Sequence, residues 1–166
     1  MNPRVRYCLK SRKDRSGLGY FLVFDPSKWS SFATITNSLT TAWREVRFNS
    51  AGKRSIPTAS GIYAFCVRPK VGSHSDHVYL MYVGKADNLR RRYGDYLRER
   101  RNGSDRVEVV FFLNTYKRDL WFTYHRVPQA QLKDIEDAMI SSIWPPANTA
   151  GKAYGTLEQE QTREAF

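Results

Sequence analysis

The chain has 166 residues, of which 41% are hydrophobic and 14% aromatic, so its composition is that of a folded protein and excludes a disordered polyelectrolyte. It carries 27 Lys and Arg against 16 Asp and Glu, a formal net charge of +11, which predicts a polyanionic partner, nucleic acid first. Two cysteines are too few for a disulfide framework or a zinc site, and no apolar run has the length of a membrane span or a signal peptide. We therefore expect a cytoplasmic protein without membrane contact.

The positive charge is concentrated near the N-terminus. Residues 1–57 hold eleven Lys and Arg against three acids, a balance of +8. In this part, "RVRYCL" and "LGYFLVF" predict two strands joined by a basic turn, and residues 30–48 predict a helix. We expect residues 1–57 to be a basic extension that grips nucleic acid, 58–150 to be the core and 151–166 to be a tail. The extension's candidate nucleic-acid contacts are Arg12, Lys13 and Arg15.

A hairpin opens the predicted core. Residues 61–68 and 78–84 are rich in apolar, β-branched and aromatic residues, which predicts two strands joined by a loop. A hairpin folded symmetrically about residues 72 and 73 would place Tyr63 opposite Tyr82. The loop's His74, Asp76 and His77 are too few to predict a metal site.

A basic helix follows the hairpin. Asp87 or Asn88 is its predicted N-cap, and the pattern continues to about Arg101. Arg92 and Tyr96 are four residues apart, so they share one face, while Leu89, Tyr93 and Leu97 form a packing stripe. The remaining arginines predict a rim that attracts phosphates: Arg90, Arg91, Arg98, Arg100 and Arg101.

A second helix is predicted by "QAQLKDIEDAMISSIW", and Pro145 ends it. Glu136 falls about 40° from Leu132 around the helix axis, inside the apolar face, whereas Asp137 points to solvent. A charged carboxylate on an apolar face requires a partner. The pattern leaves two alternatives for Glu136, a salt bridge to one of the many arginines or a ligand for a hard divalent cation.

Two further elements lie between these helices. "LWFTYHRV" at 120–127 predicts a strand, with His125 as a structural or substrate-facing residue. "RVEVVFFLNTYK" has the composition of a strand, but a fully buried helix would have the same pattern.

Several short motifs occur in a fixed order along the core. They are Gly61-Ile62-Tyr63, then Tyr82-Val83-Gly84 with Lys85, then Arg92, Tyr96, Glu136 and Asn148. In this order and at this spacing they resemble the GIY-YIG nuclease family, with Val83 in place of the usual isoleucine. The resemblance covers roughly residues 58–150. It implies an α+β fold, a small α/β/α core with a mixed three-stranded sheet flanked by helices, and it favours a helix at 106–117.

The resemblance also implies roles for these residues. Glu136 would bind one divalent cation, Mg²⁺ or Mn²⁺, and Arg92 would bind the scissile phosphate. Tyr63 would take a proton from the attacking water, with its pKa lowered by Lys85 and other cations. Tyr82 would orient the water or the Tyr63 hydroxyl. The other two catalytic candidates are Tyr96, one turn beyond Arg92, and Asn148, which would brace the metal side.

The expected function is therefore a metal-dependent endonuclease that hydrolyses phosphodiester bonds in DNA, most simply double-stranded DNA. Two alternatives stay open: a catalytically inactive nucleic-acid-binding module on the same fold, and a nuclease that cleaves RNA. The oligomeric state is open as well, since cutting both strands requires either a dimer or two successive events.

Overall fold

A computed structural model describes residues 42–70 and 77–149, together with Ala33. The predicted strands "RVRYCL" and "LGYFLVF", and Arg12, Lys13, Arg15, His74 and Asp76, lie outside the described residues. The strands are β1 (Arg44–Arg47), β2 (Gly61–Val67), β3 (Tyr79–Ala86) and β4 (Leu120–Arg126). The helices are α1 (Leu89–Asn102), α2 (Val107–Thr115), α3 (Leu132–Ile143) and the short α4 (Pro146–Thr149).

The four described strands form one sheet in the order β1-β4-β2-β3, and every neighbouring pair is antiparallel. The expected α+β class is confirmed, but the sheet differs from the expected mixed, three-stranded one. Leu120 pairs with Val67, because α1 and α2 return the chain to the end of the sheet where β2 finishes, so β4 runs antiparallel to β2. The strand β3 lies at one edge of the sheet.

Helices cover both faces of the sheet. On one face, α1 and α2 enclose an aromatic core that includes Phe65, Tyr93, Phe112 and Phe122. On the other face, α3 packs against the alternate side chains of β2 and β3. Since successive residues of a strand point to opposite faces, Tyr63 and Phe65 belong to the first layer, and Ile62 and Ala64 to the second.

The N-terminal boundary of this fold lies before residue 57. Residues 44–47 form β1, at one edge of the described sheet, and not the end of the helix expected at 30–48; of residues 30–41, only Ala33 is described. Phe48 and Ile56 are buried in the aromatic core. The backbone N–H groups of Leu89 and Arg90 donate to the carbonyls of Ala59 and Pro57. Residues 44–57, which the sequence analysis placed in the extension, therefore pack as part of the core.

The register of the β2–β3 hairpin differs from the symmetric one. Tyr63 pairs with Gly84 and Phe65 pairs with Tyr82, with an irregularity between Phe65 and Cys66. The slip is two residues, so Tyr63 and Tyr82 still share a face and their ring centroids lie 6.3 Å apart. A slip of two leaves the alternation of side chains unchanged, which is why the sequence pattern could not detect it.

The helix predictions for residues 87–143 agree with the structure. Asn88 caps α1 by accepting a hydrogen bond from the backbone N–H of Arg91. The segment with strand-like composition forms α2, as the family resemblance favoured. Of the helices in residues 42–70 and 77–149, none is long and apolar enough to cross a membrane.

Candidate active site

Four consecutive residues of β3, from Tyr82 to Lys85, connect the predicted site residues. The ring of Tyr82 lies 6.3 Å from that of Tyr63 and 6.1 Å from that of Tyr96. Asn148 bonds to the backbone of Val83, Gly84 lies beneath the Tyr63 hydroxyl, and Glu136 bonds to Lys85. Arg92 joins the same group through Tyr63. The structure therefore brings all seven predicted catalytic residues to one end of one edge strand.

Two buried tyrosines, Tyr63 and Tyr96, together with Arg92 form the part of the candidate site on the α1 side of the sheet. The hydroxyls of Tyr63 and Tyr96 lie 2.8 Å apart, and Nε of Arg92 donates to the Tyr63 hydroxyl at 3.2 Å. The guanidinium carbon of Arg92 lies 4.7 Å from the ring centroid of Tyr96. Arg92 and Tyr96 share a face of α1, as the sequence predicted, and that face turns toward Tyr63.

Both motif glycines are sites of close approach. A Cβ added at Gly84 would lie 2.4 Å from the Tyr63 hydroxyl oxygen and 2.6 Å from its Cζ. A Cβ at Gly61 would lie 2.2 Å from the carbonyl oxygen of His125 on β4. Real Cβ contacts are essentially never this short. Gly84 therefore provides the space for the Tyr63 hydroxyl, and Gly61 allows β2 to pair closely with β4.

The electrostatics around Tyr63 differ from those the sequence predicted. Burial raises the pKa of Tyr63 above its usual range, and Tyr82 adds to the increase, whereas Arg92 and Tyr96 lower it. Burial also raises the pKa of Tyr96. Within the described residues, the cation at the Tyr63 hydroxyl is Arg92, while the ammonium of Lys85 bonds to Glu136 instead. The expected lowering of the Tyr63 pKa by Lys85 is therefore not a feature of this arrangement.

Glu136 approaches β3 from α3, on the other face of the sheet. Its Oε1 accepts a hydrogen bond from the backbone N–H of Lys85 at 3.1 Å, and its Oε2 accepts one from Nζ of Lys85 at 2.6 Å. The side chain of Glu136 is 16% exposed and that of Lys85 is 40% exposed. The hydrogen bond to Glu136 raises the pKa of Lys85, so the lysine stays charged at neutral pH. The ion-pair partner of Glu136 is thus a lysine and not one of the arginines that the sequence analysis considered.

Asn148 reaches the same edge of β3 from α4. Its Oδ1 accepts the backbone N–H of Val83 and its Nδ2 donates to the Val83 carbonyl, both at 2.7 Å. A sharp turn makes this possible: Trp144, at φ 49° and ψ 61°, ends α3 in the left-handed region, just before Pro145. This conformation costs a non-glycine residue about 1–2 kcal/mol, and the indole N–H of Trp144 supports it by donating to Ser141.

The donor groups around Glu136 fit a hard divalent cation that is held mainly by water. Mg²⁺ prefers carboxylate oxygen and keeps several waters, with one or two protein carboxylates and substrate phosphates completing its shell. Within residues 42–70 and 77–149, no group of three or more His, Cys, Asp and Glu side chains could form a closed protein cage. The partly exposed carboxylate of Glu136, beside Lys85, matches the single protein carboxylate of such a site.

The five predicted rim arginines of α1 fall into three groups by their contacts. Arg90 donates to the carbonyl oxygens of Ile56 and Arg54, and Arg100 lies over the Phe48 ring and donates to its carbonyl. These two arginines hold the N-terminal segment on the core. Arg98 pairs with Asp95. The side chains of Arg91 and Arg101 are exposed and make no hydrogen bond or ring contact with other described residues.

Sequence reasoning missed Arg106. This residue precedes α2, its guanidinium carbon lies 5.0 Å from the ring centroid of Tyr96, and its Nη1 donates to the Tyr96 hydroxyl at 3.3 Å. Glu99 on α1 accepts two hydrogen bonds from Nη2 of Arg106. No periodic pattern indicates such a residue, because it lies in a loop and its side chain contacts residues of the preceding helix. His125, by contrast, is buried near Trp43, as expected for a structural residue.

Comparisons with known proteins give similar structures but no similar sequences. No protein-family model matches the sequence, and no curated protein matches it. Two similar solved structures are crystal structures of the GIY-YIG N-terminal endonuclease domain of UvrC from Thermotoga maritima, each a point mutant bound to its catalytic divalent cation. Both are 18% identical to this chain. One has a TM-score of 0.41 and covers 58% of this chain and 90% of its own length. The other has a TM-score of 0.42 and covers 60% of this chain and 93% of its own length.

Proposed function

We propose that this chain is a metal-dependent endonuclease of the GIY-YIG type that hydrolyses phosphodiester bonds in DNA. The observation that carries the proposal is the convergence at Tyr82–Lys85 of a tyrosine pair, an arginine and a carboxylate. Phosphodiester hydrolysis requires an activated water, neutralisation of phosphoryl charge and stabilisation of the leaving oxygen. The net charge of +11 supports a polyanionic substrate.

Arg92 would bind the scissile phosphate. Its Nε is occupied by Tyr63, but its two terminal nitrogens make no hydrogen bond with other described residues. Arg92 also lines a cavity of about 410 Å³ together with Asp95, Arg98, Glu99, Asn102 and Gly103. A guanidinium with two free nitrogens can bind two phosphate oxygens at once, with the fixed geometry that an ammonium lacks.

Glu136 would hold the divalent cation, Mg²⁺ or Mn²⁺. When bound, such a cation supplies electrostatic stabilisation of the leaving oxygen. Tyr63 would accept the proton of the attacking water, with Arg92 and Tyr96 donating to the phenolate oxygen. Tyr82, whose side chain is only half-buried, would orient the water, and Asn148 would fix the backbone of β3 beside Glu136.

The alternative is a nucleic-acid-binding module without chemistry. One observation favours it: Glu136 and Asn148 both have complete structural roles, because each bonds to an outward-facing backbone group of β3. In this alternative, Glu136 is a salt-bridge residue and the basic surface alone contributes to function.

The decisive experiment is cleavage of supercoiled plasmid with and without Mg²⁺ or Mn²⁺. The variants are Glu136→Gln and Arg92→Ala, with Asp137→Asn as the matched control, since Asp137 is the exposed acid next to Glu136. We expect metal-dependent nicking or linearisation by wild type and by the control, and a loss of at least about 10²-fold in the other two. DNA binding should persist in all four proteins.

Binding without cleavage by wild type, on supercoiled, linear, branched and single-stranded DNA, would establish the binding module. Labelled DNA and RNA assayed side by side distinguish a DNA nuclease from an RNA nuclease. Fractionation of the cells that make the protein tests the cytoplasmic location, which stays a prediction.

A further inference from the structure

Two guanidinium groups contact the ring of Tyr96. Arg92 approaches it from within α1, and Arg106 approaches it from the start of α2, with guanidinium carbons 4.7 Å and 5.0 Å from the ring centroid. The carboxylate of Glu99 holds Arg106 in place, and the backbone N–H of Arg106 donates to Ser104. Arg106 is 33% exposed and Glu99 17% exposed, so both are shielded from solvent over most of their surface.

The Tyr63 and Tyr96 hydroxyls carry two protons, and the hydrogen bonds among the described residues use only one of them. Arg92 donates to the Tyr63 oxygen and Arg106 donates to the Tyr96 oxygen, and a guanidinium can only donate. The bond between the two hydroxyls uses one of their two protons. Within the described residues, no oxygen accepts the other proton. Tyr63 is 1% exposed and Tyr96 0% exposed, so both side chains are buried.

Loss of that proton completes the network. The two oxygens would then accept from three donors, namely Arg92, Arg106 and the one hydroxyl that remains. The charges also balance, because two guanidinium groups are matched by the carboxylate of Glu99 and one phenolate. Tyr82 faces the pair from β3, with its ring near both tyrosine rings.

We propose that Arg106 is a positioning residue, which holds the Tyr96 hydroxyl so that Tyr96 donates to Tyr63 and the two tyrosines share a single proton. Arg106 thereby helps Tyr63 to serve as a base. The proton lost from the pair passes to bulk water before the reaction. Tyr63 regains a proton from the attacking water as the new O–P bond forms and the bond to the leaving oxygen breaks.

Burial opposes this loss, since it raises the pKa of both hydroxyls. Arg106 is a second cation within hydrogen-bond distance of the pair, and a nearby positive charge favours the phenolate. The tyrosine pair should therefore release its proton at a lower pH with Arg106 than without it. This difference in titration can be measured on the protein without metal or nucleic acid. Only the role of Arg106 in the reaction rests on the proposed hydrolysis.

The first test is a pH titration of metal-free protein that carries ¹³Cζ-labelled tyrosine, followed by NMR. Tyr63→Phe and Tyr96→Phe assign the two resonances. In Arg106→Gln we expect the shared titration to move up by about one pH unit or more, the effect of removing one adjacent opposite charge. Arg106→Lys should recover part of the change, and Arg101→Gln, which removes an exposed arginine at the end of α1, should leave the titration unchanged.

A second variant controls for the carboxylate that Arg106→Gln leaves unpaired. The double variant Glu99→Gln with Arg106→Gln has the same local charge as wild type, and we expect the upward movement to persist because the donor to Tyr96 is still missing. Superimposable titrations of wild type and Arg106→Gln would overturn the proposal. So would a double variant that titrates like wild type.

The second test is the pH profile of single-turnover cleavage. In Arg106→Gln the rising limb should move to higher pH, so that the rate falls about tenfold per pH unit of displacement on that limb and recovers above it. A rate lowered equally at every pH would indicate a structural role only and would contradict the proposal. If wild type cuts no nucleic acid, the proposed function fails, and the tyrosine titration still decides the role of Arg106.

Discussion

The ammonium of Lys85 lies 2.6 Å from Oε2 of Glu136, while the backbone N–H of the same lysine donates to Oε1. One residue of β3 thus binds both oxygens of the carboxylate proposed to hold a divalent cation. Because the same hydrogen bond raises the pKa of Lys85, the lysine competes with a metal ion as a full positive charge.

Removing the charge of Lys85 should therefore increase metal affinity. We expect Lys85→Gln to bind Mn²⁺ at least about fivefold more tightly than wild type in the absence of DNA, the effect of one unit charge about 4 Å away in water. Isothermal titration calorimetry measures this directly. Lys133→Gln, which removes an exposed charge from the same helix as Glu136, is the control and should change the affinity much less. Equal affinities for wild type and Lys85→Gln would place the cation somewhere other than Glu136.

A methyl group at Gly84 should displace Tyr63. The added Cβ would lie 2.4 Å from the hydroxyl oxygen, and we expect Gly84→Ala to lower the free energy of unfolding by about 1–3 kcal/mol, as overpacking does. Urea denaturation measures this change. Adding Tyr63→Phe should not rescue the stability, because Cζ of the ring would still lie 2.6 Å from the new Cβ.

The control for Gly84 is Gly94→Ala in α1. A Cβ there would meet only the flexible end of Lys53, and alanine favours a helix over glycine by about 1 kcal/mol. This variant should be as stable as wild type or more stable. Gly84→Ala with wild-type stability would contradict the packing described around Tyr63.

Loss of the Asn148 amide should destabilise the edge of β3. Asn148→Ala removes two hydrogen bonds and leaves the Val83 N–H without its partner, so we expect a loss of about 1–3 kcal/mol in the free energy of unfolding. Asn148→Asp keeps an acceptor for the N–H but places a carboxylate oxygen against the Val83 carbonyl, and it should also be less stable than wild type. Asn114→Ala, at an exposed asparagine of α2, should cost no more than about 0.5 kcal/mol.

The arginines of α1 should differ in what their loss affects. Arg91→Gln and Arg101→Gln should each reduce the slope of log affinity for DNA against log salt by about 1 and leave stability unchanged, because these side chains are exposed and unbonded within the described residues. Arg90→Gln and Arg100→Gln should instead lower the free energy of unfolding. Measured with one duplex over a range of salt concentrations, identical slopes for all four variants would contradict this division.

Some of the geometry of the candidate site follows from local sequence patterns, while the choice of its seven residues came from the family resemblance. Asn88 before an apolar stripe sets the start of α1, and the four-residue spacing then brings Arg92 and Tyr96 to one face. The angular position of Glu136 on its helix predicted a partly buried carboxylate that requires a partner, and the structure supplies Lys85. These inferences depend on residues within one or two helical turns of each other, and their spacing can be read directly from the sequence.

The remaining features depend on contacts between distant residues. β1 contains only Val46 as an apolar residue, so no alternation indicates a strand, and its pairing with β4 spans more than seventy residues of sequence. The identity of the cation beside Tyr63 follows from the face of the sheet: Lys85 lies on the α3 side and Arg92 on the α1 side. Arg106 reaches the Tyr96 hydroxyl from a loop, where no helix or strand periodicity could predict its position.

The side-chain bonds along β3 also affect assembly. An edge strand normally presents free N–H and C=O groups that another chain can pair with, and such edges promote aggregation. Here the outward N–H groups of Val83 and Lys85 and the Val83 carbonyl are already bonded to Asn148 and Glu136. A second copy of the chain cannot extend the sheet at these residues without displacing Asn148 and Glu136, so a dimer would have to form without strand pairing there.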